Sequence, residues 1–347
     1  MPPMTTTPVD GSTNLTNNAT QAPEVAPLHT TNELILLAIL IGLLAFLTLS
    51  GNLLVIIAFI KDEKLRTFGN YFILNLSVTD LMIGVLIPIY TPYTLLGRWP
   101  FGRHACVIYN VFDYAVPLAG SWNIAVISLD RYVSVSKPVF YRLKQSSGWA
   151  AVFISIPWIA GTLVFAPPII FWQHFTGHVT VPEGECFVEF YDYIPYLLFG
   201  SFMEFIVPFV TVSLANILIY VNLRKRSLAA DSRATTGDVQ SKKANLARDR
   251  KTARSLAILV GIYFITWAPY EVCALLNPLC GFCVPDNVFE VTYWLLWINS
   301  TINPILYPLL QLKFRVAFRN ILCGRCSGGA VVHPIQNNSN NKPATIA

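Results

Sequence analysis

Four carboxylates lie well inside the most hydrophobic stretches of this sequence, where charged side chains are rare. They are Asp80, Asp113, Glu204 and Glu271. No Lys or Arg stands inside the same stretches to pair with them. A charged side chain at the centre of a membrane helix costs about 3 kcal/mol, so it is retained where it faces a cavity or a partner. Acids without a protein cation therefore predict a binding site for a small cationic molecule.

Three of the four acids lie at one predicted depth. At a rise of about 1.5 Å per residue, Asp113 lies about 15 Å, Glu204 about 16 Å and Glu271 about 12 Å from the same side of the predicted membrane. Asp80 lies deeper. We expect the first three acids to face one cavity. The alternative is that one or two of them are protonated and hydrogen-bonded to neighbouring groups.

Aromatic residues gather at the predicted depth of the three acids. They are Tyr114, Trp267, Tyr270, Tyr293, Trp294 and Trp297. The face of an aromatic ring attracts a desolvated cation by up to about 2 kcal/mol. Tyr and Trp also anchor helices at the membrane surface, which is the alternative role for any one of them. Together with the acids, they favour a cation-binding site.

Seven hydrophobic stretches must position these residues. Only 12% of the residues are charged, whereas a soluble domain has about 25%. The stretches span roughly 34–60, 69–97, 104–129, 147–172, 193–222, 255–285 and 288–312. Each is long enough to cross a hydrocarbon core about 30 Å thick as a helix. We predict an all-α membrane protein, a seven-transmembrane-helix bundle; short helices of a water-soluble bundle are the alternative.

The distribution of charge predicts the orientation of the bundle. All Lys and Arg residues except Arg98 and Arg103 fall in alternate connections, their flanks or the tail. Because basic residues collect on the cytoplasmic side, we expect a multi-pass plasma-membrane protein with an extracellular N-terminus. No basic residues are interleaved with aromatics on a soluble face, which argues against nucleic-acid binding.

Composition divides the chain into three predicted parts. Residues 1–33 read as a disordered extracellular segment with glycosylation sequons at Asn14 and Asn18. The seven-helix domain covers 34–322; it includes a mobile cytoplasmic loop at about 224–250, whose ends are expected to extend helices five and six, and it ends in a short amphipathic eighth helix at about 313–322. A cytoplasmic tail covers 323–347.

The seven cysteines divide by predicted compartment. Cys106 and Cys186 both lie on the oxidising side, where a disulfide between them would tie a loop over the mouth of the bundle. Cys280 and Cys283 are close enough in sequence to form a small local disulfide. A metal site would need further ligands, and none accompany them. On the cytoplasmic side, Cys323 and Cys326 follow the amphipathic stretch; they are candidates for lipidation, with inert thiols as the alternative. We predict no metal site.

The motifs of these segments resemble those of the rhodopsin-like G-protein-coupled receptors over about residues 34–322. They stand in family order: Asn52 in SGNLLV, Asp80 in LNLSVTDL, Asp130-Arg131-Tyr132, Trp158, Pro208, Trp267 and Pro269 in TWAPY, and Asn303, Pro304 and Tyr307 in NPILY. The resemblance implies a two-state switch in which prolines act as hinges for helix six.

In that switch, Arg131 is expected to pair with Asp249 at rest and to open a cavity for a heterotrimeric G protein on activation. Asn216 and Tyr307 are then expected as polar partners of Arg131. The resemblance also implies arrestin and a receptor kinase as partners and membrane lipid as the surroundings. It further implies an allosteric sodium ion at Asp80, Asn299 and Ser300, and no other cofactor.

Two acids narrow the resemblance to the aminergic branch. Asp113 stands seven residues after Cys106, like the amine-binding aspartate of that branch. Glu204 stands four residues before Pro208, as in the third and fourth histamine receptor subtypes. The expected ligand is histamine or a histamine-like dication, with Asp113 on the aliphatic ammonium, Glu204 on the second basic group and Trp267 reporting occupancy. By analogy with those subtypes, the G protein would be of the inhibitory type.

Several alternatives stay open. Glu271 stands where the family pattern has a neutral residue, which favours agmatine or a polyamine as the ligand. Acetylcholine or another monoamine is a further alternative. An organic-cation transporter or an orphan signalling protein would belong to other classes, and the DRY and NPILY residues argue against a transporter. We expect no enzyme, since no nucleophile–base pair or metal cluster stands at the depth of the acids.

Overall fold

The computed structural model describes residues 30–177, 181–232, 239–281 and 283–324. The predicted glycosylation sites Asn14 and Asn18, the tail beyond Gly324 and the candidate lipidation site Cys326 lie outside these ranges. Within them, the structure consists of helices and turns, with no β-strand. The predicted all-α fold is confirmed.

Ten α-helices are found in the described residues. In chain order they are α1 Thr31–Lys61, α2 Phe68–Leu96, α3 Gly102–Ser136, α4 Pro138–Lys144, α5 Ser147–Thr176, α6 Ile194–Ser201, α7 Val207–Ser232, α8 Val239–Leu279, α9 Asp286–Leu310 and α10 Leu312–Leu322. A π-helical turn, Phe202–Ile206, joins α6 to α7. We call this turn the π-turn; α6, the π-turn and α7 form one continuous rod.

Five helices are long and apolar enough to cross a membrane by length and composition: α1, α2, α5, the α6–α7 rod over Ile194–Arg226, and α8 over Ala253–Leu279. The long helices α3 and α9 are less apolar because they bury polar side chains in the bundle. On α3 these include Asn110, Asp113 and Asn123, and on α9 Asn299 and Asn303.

Polar side chains tie neighbouring helices together inside the bundle. The Asn52 side-chain amide donates to the carbonyls of Thr48 and Ser300, at 2.9 and 3.0 Å, and so links α1 to α9. The Trp158 indole donates to Asn75 Oδ1 at 2.9 Å and links α5 to α2. Such hydrogen bonds hold membrane helices in register, because burial in hydrocarbon alone does not distinguish one helix face from another.

Both predicted disulfides are present, and both lie at one end of the bundle. Cys106 at the start of α3 is bonded to Cys186, which we call the loop disulfide. Cys280 is bonded to Cys283 between α8 and α9, which we call the turn disulfide. We refer to this end as the disulfide end and to the other, which carries α4 and α10, as the opposite end.

The sixth hydrophobic stretch ends as a helix earlier than predicted. The sixth stretch was expected to run to 285, but α8 ends at Leu279 because Gly281 adopts a φ of 72° within the turn that the disulfide closes. At the opposite end, α7 runs to Ser232 and α8 begins at Val239. Helix therefore extends into both flanks of the predicted 224–250 loop.

Candidate functional site

A cavity of about 40 Å³ lies between α3, the α6–α7 rod, α8 and α9 near the disulfide end. Asp113, Glu204 and Glu271 all line it, and we call it the acid cavity. Four of the predicted aromatic residues also line it: Tyr114, Tyr270, Tyr293 and Trp297. None of the described lining residues is Lys or Arg. The three acids thus meet in one space.

The roof of the acid cavity comes from the loop that the predicted disulfide ties over the mouth of the bundle, although its residues Phe190 and Tyr191 were not predicted to line the site. Phe190 and Tyr191 line the cavity and are almost fully buried. The loop disulfide holds them there, since Cys186 stands a few residues earlier in the same loop. That short distance from a tethered cysteine is the signal in the sequence that could have found them.

Asp113 is held by two tyrosine hydroxyl groups. Tyr293 on α9 donates to both of its carboxylate oxygens, at 3.0 and 2.9 Å, and Tyr109 donates to Oδ1 at 3.2 Å. The two hydroxyl oxygens are themselves 3.3 Å apart. Tyr109 was not predicted, although it stands one helical turn before Asp113 and so shares its face of α3. The carboxylate is fixed between two helices.

Glu204 occupies the middle of the π-turn. The Val207 N–H bonds to the carbonyl of Phe202 rather than to that of Met203. Pro208 has no N–H to offer the carbonyl of Glu204. Both carbonyls therefore lose their usual helical donor, and two side chains of α3 replace it.

Those two donors are adjacent residues. Trp122 Nε1 donates to the Met203 carbonyl at 2.7 Å, and Ser121 Oγ donates to the Glu204 carbonyl at 2.7 Å. A buried carbonyl without a hydrogen-bond donor is energetically costly, so these two bonds stabilise the π-turn as well as the contact between α3 and the rod. The π-turn is fixed to α3 at the residue that carries the second acid.

Glu271 is the most buried of the three acids, with 4% of its surface exposed. Its side chain lies beside Ser201, the last residue of α6, and both line the cavity. This contact links α8 to the rod immediately before the π-turn. Arg103, one of the two basic residues on this side of the bundle, forms an ion pair with Glu189 at 2.5 Å and does not line the cavity.

Two of the predicted aromatic residues lie elsewhere. Trp294 packs against Trp297 at a ring distance of 5.0 Å and against Tyr90 at 6.4 Å, outside the lining of the acid cavity. Trp267 lies deeper and packs on Tyr263 at 5.2 Å. It lines a second cavity below the first, and Trp297 forms part of both. Trp267 is thus adjacent to the acid cavity through Trp297.

The second cavity encloses about 20 Å³ and contains the predicted sodium ligands Asp80, Asn299 and Ser300. Asn303 donates to Asp80 Oδ2 at 2.9 Å, and the Asn299 amide nitrogen donates to Thr266 at 3.0 Å. A volume above roughly 10–15 Å³ holds one water-sized particle. Carboxylate, amide and hydroxyl oxygens are suitable ligands for a hard cation. The residues present fit a single small cation.

At the opposite end, a cavity of about 480 Å³ is lined by Arg131, Asn303 and Tyr307 among others, and we call it the opposite-end cavity. Arg131 Nε lies 3.5 Å from Asp130 Oδ2. The Tyr141 hydroxyl of α4 donates to the other oxygen of Asp130 at 2.8 Å. Burial and the neighbouring Asp130 raise the pKa of Tyr141, so it remains a donor. This contact was not predicted.

The remaining predicted switch residues are placed as follows. The Asp249 side chain lies outside the described residues, so its pairing with Arg131 stays a prediction. Asn216 donates to the carbonyl of Val212 in its own helix, at 2.8 Å. Tyr132 packs against the core of the bundle. Pro269 and Pro304 lie within α8 and α9.

Comparison with known proteins adds a second line of evidence. Residues 51–307 match the family described as 7 transmembrane receptor (rhodopsin family). The Histamine H4 receptor of Homo sapiens is 31% identical over 362 residues, which cover 83% of this chain and 92% of that protein. The Muscarinic acetylcholine receptor M1 of Homo sapiens is 27% identical over 405 residues, which cover 82% and 88%. The Muscarinic acetylcholine receptor M3 of Mus musculus is 38% identical over 218 residues, which cover 62% and 37%.

Proposed function

The chain belongs to the rhodopsin family of seven-transmembrane receptors, and on that premise we propose that it binds a small amine with two basic groups, histamine or a histamine-like dication. Membership of the family makes it a multi-pass membrane receptor that signals through a G protein, and not an enzyme. It also leaves the transporter alternative without support. The observation that carries the proposal is the acid cavity, where Asp113, Glu204 and Glu271 meet without a Lys or Arg among the described lining residues.

The number of acids argues for more than one positive charge on the ligand. A monocation such as acetylcholine, the ligand in the names of the muscarinic relatives, would neutralise one carboxylate and leave the others uncompensated in a buried space. Histamine, the ligand in the name of the other relative, can present an ammonium to Asp113 and a second basic group to Glu204. Agmatine or a polyamine is the second candidate, because Glu271 offers a third carboxylate in the same cavity.

Ligand entry requires the acid cavity to widen. Pockets for small molecules enclose roughly 300–1,000 Å³, whereas this one encloses about 40 Å³. The proposed ligand therefore selects a state in which the rod, α8 and the roof loop stand farther apart. Pro269 in α8 interrupts the helical hydrogen bonds and supplies a bending point. An agonist shifts the equilibrium only by its preference for that wider state.

Asp113 and Glu204 couple the ligand to different elements. Three hydroxyl contacts hold Asp113 to α3 and α9, and the carboxylate accepts up to about four hydrogen bonds, so an ammonium can join the Tyr293 contact without breaking it. Glu204 belongs to the π-turn, which α3 supports through Trp122 and Ser121. A dication would bridge the rod to α3 across the widened cavity, and Trp267 would sense the change through Trp297.

The opposite-end cavity is the proposed docking site for the G protein. It exposes Arg131 and Tyr307 to the same space, and we infer that opening of an Arg131–Asp249 pair enlarges it. An inhibitory G protein, arrestin and a receptor kinase are the proposed partners. In the same proposal the N-terminus is extracellular, glycosylated at Asn14 and Asn18, and Cys323, exposed after α10, carries a lipid with Cys326. A sodium ion bound by Asp80, Asn299 and Ser300 would stabilise the resting state.

A G-protein activation screen tests the ligand. Membranes containing the receptor would be exposed to histamine, agmatine, polyamines, acetylcholine and monoamines, and nucleotide exchange would be measured. Loss of one partner of a buried charge pair costs about 2–5 kcal/mol, so Asp113→Asn should lower the potency of any active amine roughly 30-fold or more. Glu204→Gln should do the same for dications only.

Glu183→Gln is the matched control. Glu183 is an exposed carboxylate in the loop that roofs the acid cavity, and its replacement makes the same change of charge outside the cavity. A full response in Asp113→Asn would end the amine-receptor proposal. Equal effects of Glu204→Gln on monocations and dications would remove Glu204 from its assigned role. A response to polyamines that depends on Glu271 would favour the second candidate.

A further inference from the structure

A groove of about 290 Å³ lies on the side of the bundle at the opposite end, between α2, α3, α4 and the start of α5. It shares no lining residue with the acid cavity or with the opposite-end cavity. Leu129, Trp149 and Phe153, three of its lining residues, are 39–49% exposed. On a membrane-spanning bundle, large exposed apolar side chains face hydrocarbon. The groove therefore opens toward lipid rather than toward the interior.

The walls of the groove are aromatic and aliphatic. Phe72 meets Phe68 edge-on at a ring distance of 5.3 Å and Phe153 at 6.5 Å, and Trp149 stacks on Phe153 at 6.0 Å. Val126, Leu129 and Val133 of α3 form the opposite wall. A slot of this kind accepts a flexible hydrocarbon chain and offers almost no hydrogen-bonding group along its length.

Lys144 is the one basic residue among the described residues that line the groove. It is the last residue of α4, is exposed and is followed by Gln145, which also lines the groove. Asp130 also reaches the lining, but its carboxylate is engaged by Tyr141 and Arg131. Between residues 131 and 149 the sequence has four basic residues and no acidic one. The groove thus combines an apolar lining with one exposed cation, beside a segment of sequence whose net charge is positive.

We propose that this groove binds an anionic glycerophospholipid of the membrane leaflet at the opposite end, with one acyl chain between α2, α3 and α5 and the phosphate group at Lys144. Basic pockets between transmembrane helices on the cytoplasmic side are suited to anionic headgroups. The bound lipid would lie against Tyr141 and Asp130, on the side of Asp130 that faces away from Arg131. The site depends on the orientation proposed above but not on the identity of the amine.

Fluorescence quenching by brominated lipids tests the site. The full-length receptor would be placed in nanodiscs of phosphatidylcholine that contain a fixed small fraction of either brominated phosphatidylserine or brominated phosphatidylcholine. Bromine quenches tryptophan on contact, and the difference between wild type and Trp149→Phe isolates the signal of Trp149. One basic residue near a membrane surface favours an anionic lipid about fivefold, so phosphatidylserine should half-quench Trp149 at about one-fifth of the fraction that phosphatidylcholine needs.

Two variants of α4 separate a site from a diffuse attraction. Lys144→Gln and Arg142→Gln each remove one positive charge from the same short helix, but only Lys144 lines the groove. Lys144→Gln should abolish the fivefold preference, whereas Arg142→Gln should retain it. Equal quenching of wild type by the two lipids, or equal losses in the two variants, would overturn the proposal. It would also be overturned if added cholesterol displaced both brominated lipids regardless of Lys144, because the occupant would then be a sterol.

Discussion

The indole N–H of Trp122 should be a measurable source of stability. It donates at 2.7 Å to the Met203 carbonyl, which the π-turn has deprived of its helical donor. Trp122→Phe keeps an aromatic ring but removes the donor. An unsatisfied buried carbonyl costs about 1–3 kcal/mol, and we expect the free energy of unfolding to fall by that amount. The change should also lower the potency of a dicationic agonist, since Glu204 lies in the same turn.

Thermal unfolding in nanodiscs, followed by the helical circular-dichroism signal, measures the first effect. Thr211→Val is the control, because the Thr211 hydroxyl bonds only to the carbonyl of Val207 within its own helix, at 2.8 Å. A helical carbonyl that keeps its backbone donor tolerates this loss, so the control should be nearly neutral. If Trp122→Phe unfolded at the same temperature as wild type, α3 would not support the π-turn, and the coupling argued for Glu204 would lose its basis.

Three further predictions concern packing, covalent links and the resting state. A Cβ atom at Gly161 would lie 2.4 Å from the carbonyl oxygen of Ala115, so Gly161→Ala should destabilise the α3–α5 contact by about 1–3 kcal/mol in the same unfolding assay. Gly42→Ala is the control: no atom lies within 4 Å of its added Cβ, so this change should be neutral or slightly stabilising. The loop disulfide spans 80 residues and the turn disulfide 3, so from chain entropy removal of the first by Cys→Ser should cost about 4–5 kcal/mol and removal of the second about 2 kcal/mol. Tyr141→Phe removes the 2.8 Å hydrogen bond to Asp130 and should raise basal nucleotide exchange without altering agonist affinity by more than a few-fold; unchanged basal exchange would show that the bond does not restrain the switch.

The depth of the acids could be predicted from sequence because a helix has a fixed rise. Counting residues placed Asp113, Glu204 and Glu271 in one layer and Asp80 below it, and the same grouping is found in the linings of the two cavities. Both disulfides followed from which side of the membrane the cysteines were assigned to. These features depend on distance along the chain, which the sequence states directly.

Features that depend on direction around a helix could not be predicted in the same way. Trp294 and Trp297 stand one turn apart, yet only Trp297 lines the acid cavity, because the boundary of the lining runs between them. The Tyr109–Asp113 contact is completed by Tyr293 of another helix, which lies within hydrogen-bond distance of both side chains. Pro208 signals a missing donor, but the extra residue of the π-turn is placed by Trp122 and Ser121 on α3.

The π-turn has a consequence for how ligand preference can change over evolutionary time. One additional residue in a helix rotates the preceding part of that helix by roughly 100° about the axis and shifts it by about 1.5 Å along the axis. Loss of a single residue from Phe202–Ile206 would restore regular winding and turn α6 by that angle, while Pro208 and the half of the rod beyond it kept their positions. Ser201 would turn away from Glu271, and other residues of α6 would face the amine. A change of one codon could therefore alter the chemistry of the pocket and leave the signalling half of the same helix untouched.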